Sequence, residues 1–136
     1  MLDPVGVWRL IAGYAIAEET GERIELYGAD PRGYGIFEPG GRMMAMLEAS
    51  GRVAGKTEAE MAGLYRSMVA YSGKWSVDAE KFITEVDLAS DPNLVGTTQV
   101  RYYTYDGEIM SLRTLPMALP VFNDRNAVIY ADWRRE

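Results

Sequence analysis

Apolar and polar residues alternate with a period of two over residues 5–17, where Trp8, Leu10, Ala12, Tyr14 and Ile16 fall on one side and Val7, Arg9, Ile11 and Gly13 on the other. Successive side chains of an extended chain point to opposite faces, so this pattern predicts a long β-strand. Glu18-Glu19-Thr20-Gly21 reads as a turn into a second alternating run over residues 22–27, with Ile24 and Leu26 facing one way and Arg23 and Glu25 the other. A loop at residues 28–33 leads to a strand at 34–38, the turn Pro39-Gly40-Gly41 and a returning strand at 43–48. In that turn Pro presets φ at the second position and Gly accepts a positive φ.

The period then changes. Thr57-Glu58-Ala59-Glu60 fits a capping box, in which the Thr side chain meets the amide three residues on and the Glu reaches back. Met61, Leu64, Tyr65, Met68 and Val69 recur at helical spacing, and Gly73 stands where a left-handed residue would end the helix. The predicted helix spans 57–72, about 24 Å at 1.5 Å per residue, enough to lie across one end of a barrel. Alternation resumes over 74–77, 82–88, 97–105, 108–115 and 127–134, with hairpin turns at Asp78-Ala79-Glu80 and Asp106-Gly107. The sum is nine strands and one helix. Consecutive hairpins without βαβ spacing predict an antiparallel meander, and a long meander closes into a barrel because closure removes its edges. A sandwich with Greek-key crossovers needs longer connections than most of these turns.

Composition narrows the function classes. The 136 residues contain 20 Asp+Glu, 14 Lys+Arg, no His and no Cys, with 48% apolar residues, as expected for one globular domain, 1–136. Without His or Cys there is no Ser-His-Asp triad, no thiol nucleophile and none of the usual soft or imidazole metal ligands, so no metal and no cofactor is expected. A net charge of −6 opposes binding to nucleic acid or anionic membranes, which needs clustered Lys and Arg. Met-Leu-Asp-Pro at the start and the lack of a long apolar run predict neither signal peptide nor membrane span, hence a cytoplasmic protein.

Gly6-Val7-Trp8-Arg9-Leu10 resembles the Gly-x-Trp opening shared by lipocalins and fatty-acid-binding proteins, in which the Trp packs across the closed end of the barrel. Together with Gly28-Ala29-Asp30-Pro31-Arg32-Gly33-Tyr34, Gly41-Arg42-Met43 and Pro92-Asn93-Leu94-Val95-Gly96-Thr97-Thr98-Gln99-Val100-Arg101, it resembles the bacterial lipocalin-like domain family, in the same order over nearly the whole chain. The resemblance implies a calycin-type up-and-down barrel of eight to nine strands around a ligand cavity. It implies no reaction, because fold does not fix function. The second lipocalin signature, Thr-Asp-Tyr, is absent, and Thr84-Glu85-Val86-Asp87 stands where the family commonly carries His, so a role for that His does not carry over. An Arg stacked on the Trp is also implied, with Arg134 and Arg135 as candidates for Trp8.

Register supplies the candidate site. A two-residue loop at Asp106-Gly107 pairs Tyr105 with Glu108, Tyr103 with Met110, Arg101 with Leu112 and Gln99 with Thr114; continued across residues 89–96, it sets Glu85 opposite Arg101 and Asp87 opposite Gln99. The two strands then disagree, since Phe82, Val86 and Leu88 ask for one face to be interior while Tyr103, Met110 and Leu112 ask for the other. A solvated exterior ladder of Glu85, Asp87, Gln99 and Arg101 is the bland reading. The family resemblance, which implies polar residues at these four positions, favours an interior polar cluster. Arg101, Gln99, Tyr103, Glu85, Tyr34, Trp75 and Tyr71 are the expected ligand-binding residues, in a cavity whose apolar walls give affinity and whose polar groups fix orientation.

Three functions follow. The first is a barrel that binds a small apolar or aromatic molecule bearing a polar group. The second is a cofactor-independent isomerase or cyclase with Glu85 or Asp87 as general acid or base and Arg101 stabilising an oxyanion. The third is a solid-cored interaction module or homodimer.

Overall fold

Two long strands frame the computed structural model, which describes residues 2–136: β1 (Gly6–Ala17) and β10 (Arg125–Arg135) pair antiparallel from Trp8 opposite Arg135 to Ala17 opposite Ala127. Between them run β3 (Arg32–Phe37), β4 (Arg42–Glu48), β5 (Met68–Val77), β6 (Lys81–Ala89), β7 (Thr98–Tyr105) and β8 (Ile109–Arg113). Each pairs antiparallel with the next, and β10 returns to β1. The result is a closed eight-stranded barrel. Two short strands lie outside the ring, β2 (Arg23–Glu25) on β1 and β9 (Met117–Leu119) on β10. β9 had no alternation long enough to predict it, so the expected nine strands become ten.

A bulge between Leu10 and Ala12 divides β1. Before it, Trp8 and Leu10 point into the barrel core with Phe37, Met43, Phe82, Met110 and Trp133. Beyond it, Ala15 and Ala17 join Phe122 and Ala127 in a second core beneath β2 and β9. Tyr14 and Ile16, which strict alternation groups with Trp8, therefore leave that face. An extra residue in one strand shifts every later side chain to the opposite side. The seam is braced there by Tyr14 stacked on Tyr130, with ring centres 5.1 Å apart, and by the Arg23 guanidinium 3.6 Å from the Tyr14 ring centre.

Thr57 caps α1 (Glu58–Arg66) as the capping box predicts, accepting from the Glu60 amide at 3.1 Å. The helix is only nine residues long, however, and Met68–Ser72 belong to β5. Val69 and Tyr71 fit period two as well as helical spacing, and pairing with β4 from Glu48 opposite Met68 to Arg42 opposite Lys74 decides between them. Gly73 consequently sits inside a strand, where a Cβ would collide with the Glu85 carbonyl. No residue of α1 is buried.

One end of the barrel is sealed. Trp8 is fully buried and donates its indole N–H to the Pro4 carbonyl at 2.8 Å, while Arg135 lies 4.3 Å from the ring centre. Of the two candidate arginines it is Arg135 that stacks; Arg134 instead meets Glu108 at 3.2 Å. Such a cation–π contact adds about 0.5–2 kcal/mol. Among the described residues no helix is long and apolar enough to cross a membrane.

Candidate functional site

The interior face of β7 is set by two registers. The β7–β8 hairpin pairs Tyr105 with Met110 and Tyr103 with Leu112, two residues away from the expected pairing. The turn is centred one residue later than expected: the Asp106 carboxylate accepts from the amides of Glu108 at 2.8 Å and Ile109 at 2.7 Å, which also holds its pKa below the usual value. A slip of two leaves every side chain on its face, so Gln99, Arg101, Tyr103, Met110 and Leu112 do share one side.

The β6–β7 pairing slips by three. Phe82 lies opposite Arg101 and Thr84 opposite Gln99, where Glu85 and Asp87 were expected. An odd slip exchanges the faces of one strand. Phe82, Thr84 and Val86 are buried, whereas Glu85 and Asp87 are exposed on the outer wall, Asp87 pairing with Arg42 at 2.8 Å. The expected interior cluster of Glu85 and Asp87 with Arg101 is therefore corrected: the arginine and Gln99 are inside without the carboxylates. The register also removes the conflict between the strands, since Phe82 and Val86 now share the interior with Met110 and Leu112. Leu88 turns outward because Asp87 is an unpaired extra residue between Val86, opposite Gly73, and Leu88, opposite Ser72.

A cavity of about 30 Å³ lies within the barrel, lined by Tyr71, Thr84, Gln99, Arg101 and Trp133 among apolar neighbours such as Phe37, Met43, Phe82, Met110 and Leu112. Space of this size accommodates roughly two waters. Two polar groups here lack a matching acceptor among the described residues. Trp133 Nε1 is buried with no hydrogen-bond partner, and the Arg101 guanidinium donates to the Val100 carbonyl at 3.0 Å but reaches no carboxylate. Burial lowers the Arg101 pKa, an effect Tyr71 partly opposes; burial also raises the pKa of Tyr71, with Arg101 opposing and Tyr27 adding to it. Among the described residues no carboxylate lines the cavity, so the isomerase reading loses its proposed acid and base.

The remaining candidates divide. Tyr71 joins Gln99 and Arg101 at the cavity. Tyr103 points inward but serves the sealed end, donating to the Asp78 carbonyl at 2.7 Å and accepting from the Leu2 amide at 3.4 Å. Trp75 packs against Phe37 and Phe82 and donates to the Glu38 carbonyl at 3.1 Å, away from the cavity lining. Tyr34 is on the outer wall, 46% exposed. With Ile36, Met44, Met46, Ala70 and Leu88 it lines an open apolar groove of about 520 Å³. Trp133 escaped the sequence reading although Ala127, Ile129, Ala131 and Trp133 form a period-two apolar row that marks the inward face of β10. Among the described residues, no group of three or more acidic side chains is placed to hold a metal.

A family model described as a lipocalin-like domain matches residues 5–135. The chain is also similar to the 4'-hydroxy-3'-methoxypropiophenone carrier protein ppsC of Aspergillus oryzae, with 32% identity over 88 residues, covering 58% of this chain and 77% of that protein.

Proposed function

We propose, from the premise that the chain belongs to the lipocalin-like domain family, that it is a carrier for a small aromatic or apolar molecule whose oxygen acceptor is held inside the barrel by Arg101 and Trp133. The observation that carries this reading is the buried indole N–H of Trp133, which has no partner, beside a guanidinium whose protein partner is one backbone carbonyl and no carboxylate. Buried polar groups are normally satisfied, and each exception calls for an explanation; an incoming oxygen supplies one. Gln99, Thr84 and Tyr71 line the same space and add hydroxyl and amide groups that orient the ligand. The carrier ppsC supports the same class of activity.

The cavity holds a head group and not a whole aromatic molecule, so binding displaces interior side chains. Met43 and Met110 line it, and thioether side chains repack at low cost because they are unbranched and flexible. The direct test is isothermal titration calorimetry with 4'-hydroxy-3'-methoxypropiophenone and simpler aromatic ketones. Saturable binding near one molecule per chain, weakened by Arg101→Leu in a folded protein, is expected. Equal affinity for wild type and Arg101→Leu would remove the site assignment, and the lack of binding by aromatic ketones and aromatic acids alike would remove the carrier reading.

A further inference from the structure

We propose that the head group selected by this barrel is an anion, a carboxylate or an acidic phenol bound in its deprotonated form against Arg101, and that a neutral analogue of the same shape is discriminated against. This rests on the carrier reading and names what the carrier selects. Among the described residues lining the cavity, Arg101 alone carries a charge. A guanidinium presents five donors in a planar fork and stays protonated at any ordinary pH. Here its protein partner is a single backbone carbonyl.

The surrounding chemistry offers no competing anion. The titratable groups near Arg101 are Tyr71 on β5 and, beyond it, Tyr27 in the loop before β3; burial raises the pKa of both, so at neutral pH they are uncharged hydroxyls. β6 faces Arg101 with Phe82 and Thr84, and β8 with Met110 and Leu112. The cationic charge is therefore not neutralised from within the barrel. Among the described residues the five ion pairs all use other arginines.

A carboxylate meets both unmet needs at once. One oxygen accepts from the guanidinium in a charge-assisted bond, which is shorter and roughly twice as strong as a neutral one. The second oxygen accepts from Trp133 Nε1, the orphaned donor lining the same small cavity. A ketone or ester oxygen can take one of these bonds but brings no charge to pair with the guanidinium, whereas a carboxylate does. The preformed space is of head-group size, which places the recognition at the charge and leaves the body of the ligand to a less exacting apolar fit.

The test compares 1-naphthoate with methyl 1-naphthoate by isothermal titration calorimetry at pH 7.5, against wild type, Arg101→Met, Arg101→Lys and Trp133→Phe. The expected result is a preference of about tenfold or more for the acid in wild type, partly kept by Arg101→Lys and lost in Arg101→Met. Ester affinity in Arg101→Met should fall less than that of the acid, by about three- to fivefold, because a neutral carbonyl loses one hydrogen bond and no charge pairing. Trp133→Phe keeps the ring volume and loses the indole donor, and should weaken the acid about three- to tenfold with a smaller effect on the ester. Thermal unfolding of each variant confirms the fold, with Arg101→Met expected to melt no lower than wild type. Equal binding of acid and ester by wild type, or a preference that survives Arg101→Met, overturns the anion while leaving a carrier. Binding of neither probe by wild type overturns the carrier reading as well.

Discussion

The slot inside the barrel and the groove on its outer wall differ in volume by more than an order of magnitude, about 30 Å³ against about 520 Å³, and they differ as much in chemistry. The groove arises because Met43-Met44-Ala45-Met46-Leu47 is apolar at every position, so that β4 presents one apolar face to the core and another to solvent. Met44 and Met46 meet Ile36 and Tyr34 across the β3–β4 pairing, and Leu88 completes the patch through the β6 bulge. No charge is aimed into its centre. The slot is narrow but holds the unmatched guanidinium and indole N–H. Size therefore marks where a molecule would fit, whereas unmet hydrogen-bond capacity marks where one would be recognised. Exposed apolar side chains on a sheet face cost little by themselves, while an uncompensated interior donor costs stability whenever the site is empty.

Four substitutions break or sharpen this contrast. The largest effect is expected of Phe82→Ala, since Phe82 is 3% exposed, packs 5.0 Å from the Phe37 ring and lines the slot. Loss of about 3–5 kcal/mol in urea unfolding is expected, and a loss below about 1 kcal/mol would mean that the interior wall is loosely packed. Gly35→Ala is the intermediate case. Its added methyl would lie 3.4 Å from the Phe37 ring and 3.6 Å from the Trp133 ring, in ordinary contact and facing the slot. Stability should change by less than about 1 kcal/mol, but the ligand should bind at least severalfold more weakly in calorimetry, because the methyl takes head-group space. The smallest effect belongs to the groove. Met44→Lys and Leu88→Lys replace side chains that are 56% and 66% exposed, so unfolding free energies should stay within about 0.5 kcal/mol of wild type and interior ligand affinity should not move. A drop in affinity with either lysine would make the groove part of the ligand site and reverse the contrast.

Much of the barrel was legible in the chain. Nine alternating runs separated by tight turns correspond to nine of the ten strands, and Trp8 with an arginine above it seals one end as the Gly-x-Trp resemblance implies. The helix start was readable from Thr57 and Glu60 because a cap is local chemistry. Its end was not, because residues 68–72 satisfy both periods and only the β4 edge resolves them. In the candidate site, Arg101, Gln99 and Tyr71 line one cavity, while Glu85 and Asp87, expected beside them, face outward, and Trp133 went unnoticed in the sequence.

What the sequence determined by itself is which residues alternate, where most of the turns fall and that no His or Cys is present. Which face of β6 became the interior was decided only in three dimensions. The connection from β6 to β7 includes the 3₁₀ turn Pro92–Leu94, and the Val86 amide bonds to the Thr97 carbonyl while the Gly96 amide returns to Val86. These bonds set the parity of the pairing. A period of two records which side chains share a face but not which face is inside, and a slip of one residue costs nothing in local propensity while exchanging every side chain. Closure of the barrel supplies the missing constraint: Phe82 and Val86 gain burial only if they join Met110 and Leu112, and that choice sends Glu85 and Asp87 to water and leaves Arg101 inside without them.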